Sequence, residues 1–160
     1  MTTPQESRTN SSDKDCPDLC LTLWLYVSPQ ETLPVQARFH YDPAMPFAVS
    51  VDFSNTAGGA VTWVLSRELL SEGLLRPSGE GDVHIWPRCP RYGGRRSLHI
   101  QLVGRSGIAL LYADLTRVRS WIADTYVLVP SDSEGEAIDW EASFARVLRG
   151  GTDEARGGAR

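Results

Sequence analysis

The chain has 160 residues, 41% of them apolar, with 16 basic and 20 acidic side chains and a net charge of −4. That length is most simply one domain with a real core, and the acidic balance gives no global attraction to nucleic acid or to an anionic membrane. No apolar run approaches the length that spans a bilayer, and Lys14 is the only lysine, a usage that points to a high-GC genome.

The amino-terminal stretch MTTPQESRTNSSDKD is polar and lacks the apolar segment of a signal peptide or anchor. A disordered tail over 1–17 and a cytoplasmic setting are therefore expected. Cys16, Cys20 and Cys89 form an odd set without Cys-x-x-Cys spacing, which agrees with a reducing compartment. From Leu19 to Val27 the alternation of leucines predicts a strand, yet Cys20, Trp24 and Tyr26 make its other face apolar too, so it wants cover on both sides. Further strands are expected at Val35–Tyr41, Phe47–Ser54 and Val61–Leu65, separated by Asp42-Pro43, Met45-Pro46 and Gly58-Gly59.

The segment Val61–Pro87, VTWVLSRELLSEGLLRPSGEGDVHIWP, packs a strand, a short helix, a turn and a second strand into one block. Ser66 has the chemistry of an N-cap, Glu68 suits the positive end of the helix dipole, and Leu69, Leu70 and Leu74 form the buried stripe. Gly73 costs such a helix about 1 kcal/mol relative to alanine, so it either admits a close neighbour or begins the unwinding that Pro77 enforces. Pro77, Gly79 and Gly81 then build a compact turn, and Val83 and Ile85 restart a strand that Pro87 stops. A phosphate cradle is disfavoured, because Glu80 and Asp82 stand where bare amides or a base are needed and a strand follows.

Leu98-Ile100-Leu102 and Ile108-Leu110-Tyr112 predict a hairpin around Gly104–Gly107. A helix follows, with Asp114 near its start and Leu115, Val118 and Ile122 on one side. A last helix is expected with Asp139 as N-cap, a stripe of Trp140, Phe144, Val147 and Leu148, and Gly150-Gly151 as its stop. About seven strands and three helices make an antiparallel α+β fold. Five tryptophans (24, 63, 86, 121 and 140) are more apolar surface than one small unit easily hides, which favours self-association.

No catalytic constellation emerges. His40, His84 and His99 are scattered over separate strands; His84, His99 and Cys89 would make a metal site only if neighbouring strands brought them together, and no short-spaced ligand pair supports that. Ser97-Leu98-His99 lacks the glycines of a nucleophile elbow. The charge is nonetheless polarised: Arg88, Arg91, Arg95, Arg96 and Arg105 share a stretch without acids, whereas Asp124–Glu141 holds six acids and no base. The arginine stretch reads as a solvated hairpin tip, as a surface that steers a partner or another subunit, or as a site where arginines pair phosphates while Tyr92 and Trp86 stack on bases.

The ordered set Trp63, Arg67, Glu68, Leu69, Leu70, Gly73, Leu74, Pro77, Gly79, Gly81, Asp82, Val83 and Pro87 closely resembles the signature of the SsgA-like proteins, sporulation and cell-division regulators of actinobacteria. Leu33–Phe53 and Gly107–Pro130 are similar to the family's flanking segments, and the resemblance covers 18–150, leaving 151–160 as a Gly/Arg tail. It implies curved antiparallel sheets like those of the whirly fold, a trimer, and no enzymatic activity or cofactor. It also implies adaptor work at the septum during sporulation, through FtsZ recruitment, septum placement or spore-wall assembly, with FtsZ and SsgA-like paralogues as partners. Arg67, Glu68, Arg76 and Asp82 are then the expected contact residues on the outside of the block, with an Arg76–Asp82 pair as the alternative structural use. A single-stranded nucleic-acid module built on Arg88, Arg91, Tyr92, Arg95 and Arg96 is the other reading.

Overall fold

The computed structural model describes residues 16–135, and the last expected helix, with Trp140, lies outside them. The described chain forms seven strands and two helices: β1 (Leu19–Ser28), β2 (Glu31–His40), β3 (Ala48–Ser54), β4 (Ala60–Ser66), α1 (Arg67–Gly73), β5 (Val83–Arg88), β6 (Ser97–Gly104), β7 (Gly107–Asp114) and α2 (Leu115–Leu128). All strands join one antiparallel sheet in the order β4-β3-β2-β1-β7-β6-β5. Two meanders thus meet at the β1/β7 seam, where the paired positions are Trp24 with Tyr112 and Leu25 with Leu111.

The sheet is strongly curled. Five strand steps separate β4 from β6, about 24 Å in a flat sheet, yet the Trp63 ring on β4 lies 3.9 Å from where a Cβ on Gly104 of β6 would sit. The concave face carries the core: Leu21, Leu23, Ala37, Phe39, Val49, Val51, Leu65, Ile85, Leu98, Ile100, Leu111 and Ala113 are all buried there. Helix α2 covers one end of that face. Asp114 caps it by accepting from the Arg117 amide at 3.1 Å, and Leu115, Val118, Trp121, Ile122 and Thr125 point inward.

The central block folds as its spacing predicts. Ser66 Oγ accepts from the Leu69 amide at 3.2 Å, which satisfies one orphaned donor of α1. Of the two roles open to Gly73, close approach is the one found: a Cβ there would run into the Ile85 side chain, so the missing methyl lets α1 lie against β5. Gly79 has φ +113° and a Cβ would strike the Val83 carbonyl, so this turn position accepts only glycine.

Three expectations shift. Strand β2 starts at Glu31 rather than Val35; β3 pairs only with Gln36–His40, so Pro34, without an amide hydrogen, sits where one side of β2 is unpaired. In β7 the core takes Leu111 and Ala113, not the Ile108-Leu110-Tyr112 set, because pairing of Ile100 with Leu111 aligns that face with β6. Of the stretch 1–17 expected to be disordered, 1–15 lie outside the described residues, and Cys16 and Pro17 are packed: Cys16 is buried and the Trp121 indole donates to the Pro17 carbonyl at 2.8 Å.

Candidate partner-contact surface

Arg67 follows the N-cap directly, and the turn from β4 into α1 throws its side chain inward rather than out. The expectation that it is a surface contact residue is therefore corrected: the side chain is fully buried. Its Nη1 donates to the Thr125 carbonyl at 3.0 Å, its Nε donates to Glu134 Oε1 at 3.1 Å, and Nη2 pairs with the same carboxylate. The guanidinium also lies 4.0 Å from the Tyr126 ring centroid and 5.0 Å from that of Tyr41. A planar, always charged fork suits this enclosure because each of its three nitrogens finds an acceptor and two aromatic rings lie close to its cation. Arg67 ties β4 and α1 to α2 and to the segment that follows it.

The other three candidates are exposed. Glu68 and Asp82 face solvent, and Arg76 pairs with Glu72 at 2.9 Å rather than with Asp82, since residues four apart stack on a helix face. Asp82 contributes to the fold through its backbone, whose carbonyl accepts from the Val103 amide at 2.8 Å. Between these charges stands Leu75, 76% exposed. Glu68, Glu72, Leu75 and Arg76 are spaced i, i+4, i+7 and i+8, so α1 and its last turn present one apolar knob within a charged rim. The sequence contained that signal, but Leu75 reads as core until Leu70 and Leu74 are seen to fill it.

The arginine stretch does not form one patch. Arg88, Arg91, Arg95 and Arg96 are exposed at the β5–β6 connection with Tyr92, which is 94% exposed. Arg105 lies in the β6–β7 turn, at the far end of β6 and about 26 Å away along the strand. Trp86 leaves Tyr92 for a different neighbourhood. On the convex face the register sets Trp24, Tyr112, His99 and Trp86 in one row across β1, β7, β6 and β5. Ring centroids are 4.5 Å apart for His99 and Tyr112 and 5.4 Å for His99 and Trp86, with Tyr26 joining Tyr112 at 6.4 Å, all edge to face. Burial, and then Arg88, hold His99 below its ordinary pKa, so the ring is a neutral member of the row. Alternation marks each aromatic's face, but only register puts them side by side.

His84 contacts the Gly81 carbonyl and His99 contacts Ser97, the two histidines two pairing rows apart, while Cys89 is exposed beyond the end of β5. Among the described residues no three His, Cys, Asp or Glu side chains are arranged to hold a metal ion, and no helix is long and apolar enough to cross a membrane.

A family profile described as Streptomyces sporulation and cell division protein, SsgA, matches residues 35–134, from β2 through the Arg67–Glu134 pair. The chain belongs to the SsgA family. The sporulation-specific cell division protein SsgB of Frankia casuarinae is 37% identical over 133 residues, covering 83% of this chain and 92% of that protein. SsgB of Streptomyces coelicolor is 39% identical over 128 residues, covering 80% and 92%. The crystal structure of the SsgA-like sporulation-specific cell division protein of Thermobifida fusca superposes with a TM-score of 0.71 at 33% identity, over 82% of this chain and 95% of that one. The SsgA-family relationship thus spans the curled sheet, both helices and the α1 block.

Proposed function

We propose that this protein is a non-enzymatic adaptor of sporulation-specific cell division, acting at the septum as a homo-oligomer that positions FtsZ or the septal wall machinery. The observation that carries the reading is near end-to-end similarity to proteins named for sporulation-specific cell division. The surface of α1 supplies the contact chemistry. Leu75 inside the Glu68, Glu72 and Arg76 rim is a small apolar anchor, and repeating it on each subunit turns weak contacts into avid ones. Half-exposed Trp24 on the convex face adds apolar surface of the kind self-association covers.

The test is a fluorescent fusion in sporulating hyphae, with Leu75→Glu beside the parent. Rings coinciding with FtsZ ladders, lost in the variant while thermal stability stays within about 0.5 kcal/mol, are the expected result. A diffuse parent protein would overturn the adaptor reading; septal rings unaffected by Leu75→Glu would remove α1 as the contact.

The convex aromatic row favours one second reading, single-stranded nucleic-acid binding, with Trp86 and Trp24 as stacking rings and Arg88, Arg91, Arg95 and Arg96 as phosphate partners beside Tyr92. Anisotropy of a labelled oligonucleotide near physiological salt decides it. Tight binding with a steep salt slope, lost on Arg95→Ala with Arg96→Ala, supports nucleic acid; its absence leaves the adaptor.

A further inference from the structure

The two edge strands of the sheet differ in how they are guarded. On the outer side of β5, Ser78 and Ile85 exchange both backbone hydrogen bonds at 2.8 Å, and the strand carries Pro87 and Arg88. A covering segment, proline and charge are the means by which an edge is kept from pairing with another chain. Strand β4 has none of them. From Ala60 to Leu65 it holds no charge and no proline, its register against β3 runs without a bulge, and Val61 and Val64 are 58% and 62% exposed.

Parity along β4 tells which backbone groups are free. The Arg67 amide donates to the Phe47 carbonyl at 2.8 Å and the Asn55 amide to the Gly59 carbonyl at 3.1 Å, so in this ladder the odd-numbered residues of β4 point their amides and carbonyls at β3. Those of Thr62 and Val64 point away from it, and among the described residues no backbone group meets them. A groove of about 650 Å³ runs along this edge. Four consecutive residues, Val61 to Val64, line it although their side chains alternate between the two faces, which only a position beside the strand can meet. The floor is the apolar end of the concave face, with Leu25, Phe53 and Leu111, and Arg105 in the β6–β7 turn is the one charged residue of the lining. Among the described residues Arg105 has no carboxylate partner.

We infer that β4 is a strand-addition site: an extended peptide of a partner protein pairs its backbone with Thr62 and Val64, lays alternate apolar side chains on the groove floor and offers a carboxylate to Arg105. In this mode main-chain hydrogen bonds give affinity and pockets under alternate side chains give specificity. Free amides and carbonyls call for a backbone rather than a purely aliphatic ligand, the apolar floor selects every second side chain, and the single cation sets the sign of the charge. The contact uses residues other than those of the α1 surface, so either can fail without the other.

The experiment uses the full chain. In the free protein, amide hydrogen exchange followed residue by residue should be fast at Thr62 and Val64 and slow at Trp63 and Leu65. Slow exchange at the first two would overturn the inference, since the edge is then already covered by the chain itself or by a second copy. Random dodecapeptides displayed on phage, one library with free carboxyl termini and one with free amino termini, are next selected on the protein. Sequences that alternate apolar residues and carry an acid at one fixed place are expected; enrichment in the first library alone assigns the carboxylate to a chain terminus, and enrichment in both assigns it to a side chain. Unpatterned or helix-spaced sequences, or none, would overturn the inference. The enriched peptide should slow exchange at Thr62 and Val64 at least about tenfold, and N-methylation of one alternate set of its amides, but not of the other, should weaken its binding by about the same factor. Equal effects of the two methylations, or slowed exchange only elsewhere, would refute strand addition at β4. Arg105→Gln should weaken the peptide about threefold, with no further loss when the peptide's acid is replaced by its amide; additive losses would remove Arg105 as the carboxylate's partner.

Discussion

Replacing Arg67 with Met separates a buried brace from a surface contact. Methionine keeps most of the aliphatic stem in a site with no solvent exposure, so the loss is mainly electrostatic. The Thr125 carbonyl keeps the Val129 amide at 2.9 Å and is not orphaned. Glu134, only 17% exposed, loses both donors and must rehydrate or remain an unpaired half-buried charge. Breaking one side of a buried pair costs about 3–5 kcal/mol, and the partial exposure of Glu134 argues for the lower half of that range. Loss of the cation over Tyr126 and Tyr41 adds about 0.5–2 kcal/mol. The expected destabilisation is about 3.5–6 kcal/mol, a fall in Tm of roughly 10–24 °C for a domain of this size. Urea denaturation and thermal melts of the parent, Arg67→Met, Glu134→Leu and the double variant measure it. The double variant should cost at least about 1 kcal/mol less than the sum of the singles, because removing both charges leaves neither unpaired. A Tm within about 3 °C of the parent for Arg67→Met, combined with loss of septal localisation, would refute the buried brace and restore Arg67 as a contact residue.

Gly73→Ala sets helix propensity against packing: alanine gains about 1 kcal/mol in α1, but its methyl meets Ile85 in a buried site, where overpacking costs about 1–3 kcal/mol. Net destabilisation is expected in urea melts, and a more stable variant would show that α1 does not lie against β5. Gly79→Ala combines a φ of +113° with a clash on backbone and should cost more than Gly73→Ala by the same assay; a smaller cost would contradict the turn geometry. For His99, the folded pKa lies below the unfolded value of 6.5, so the unfolded chain takes up its proton first. Stability contributed by neutral His99 is present above that value, falls as pH drops through the window down to the folded pKa, and is level below it. Relative to His99→Phe, the parent should therefore lose stability between pH 7.5 and 5, and equal slopes for the two proteins would contradict the burial of the ring.

The α1 block and the strand inventory are local properties, and local chemistry decided them. A hydroxyl at the cap of α1, leucines at helical spacing, glycines at positive φ and period-2 alternation each act within a few residues, so Ser66, Gly79 and the β6–β7 hairpin were legible in order along the chain. Family membership was legible for the same reason, since it rests on an ordered set of residues. What depends on distant partners was not. Arg67 carries the same charge as Arg76, yet one is buried and the other exposed, because only the folded chain brings Glu134, Thr125 and two tyrosine rings around the first. The same holds for the arginines split between two ends of β6 and for four aromatics drawn from separate strands into one row. Sequence spacing sets which face a side chain takes; register and curl, which minimise the free energy of the whole sheet, set what it meets there.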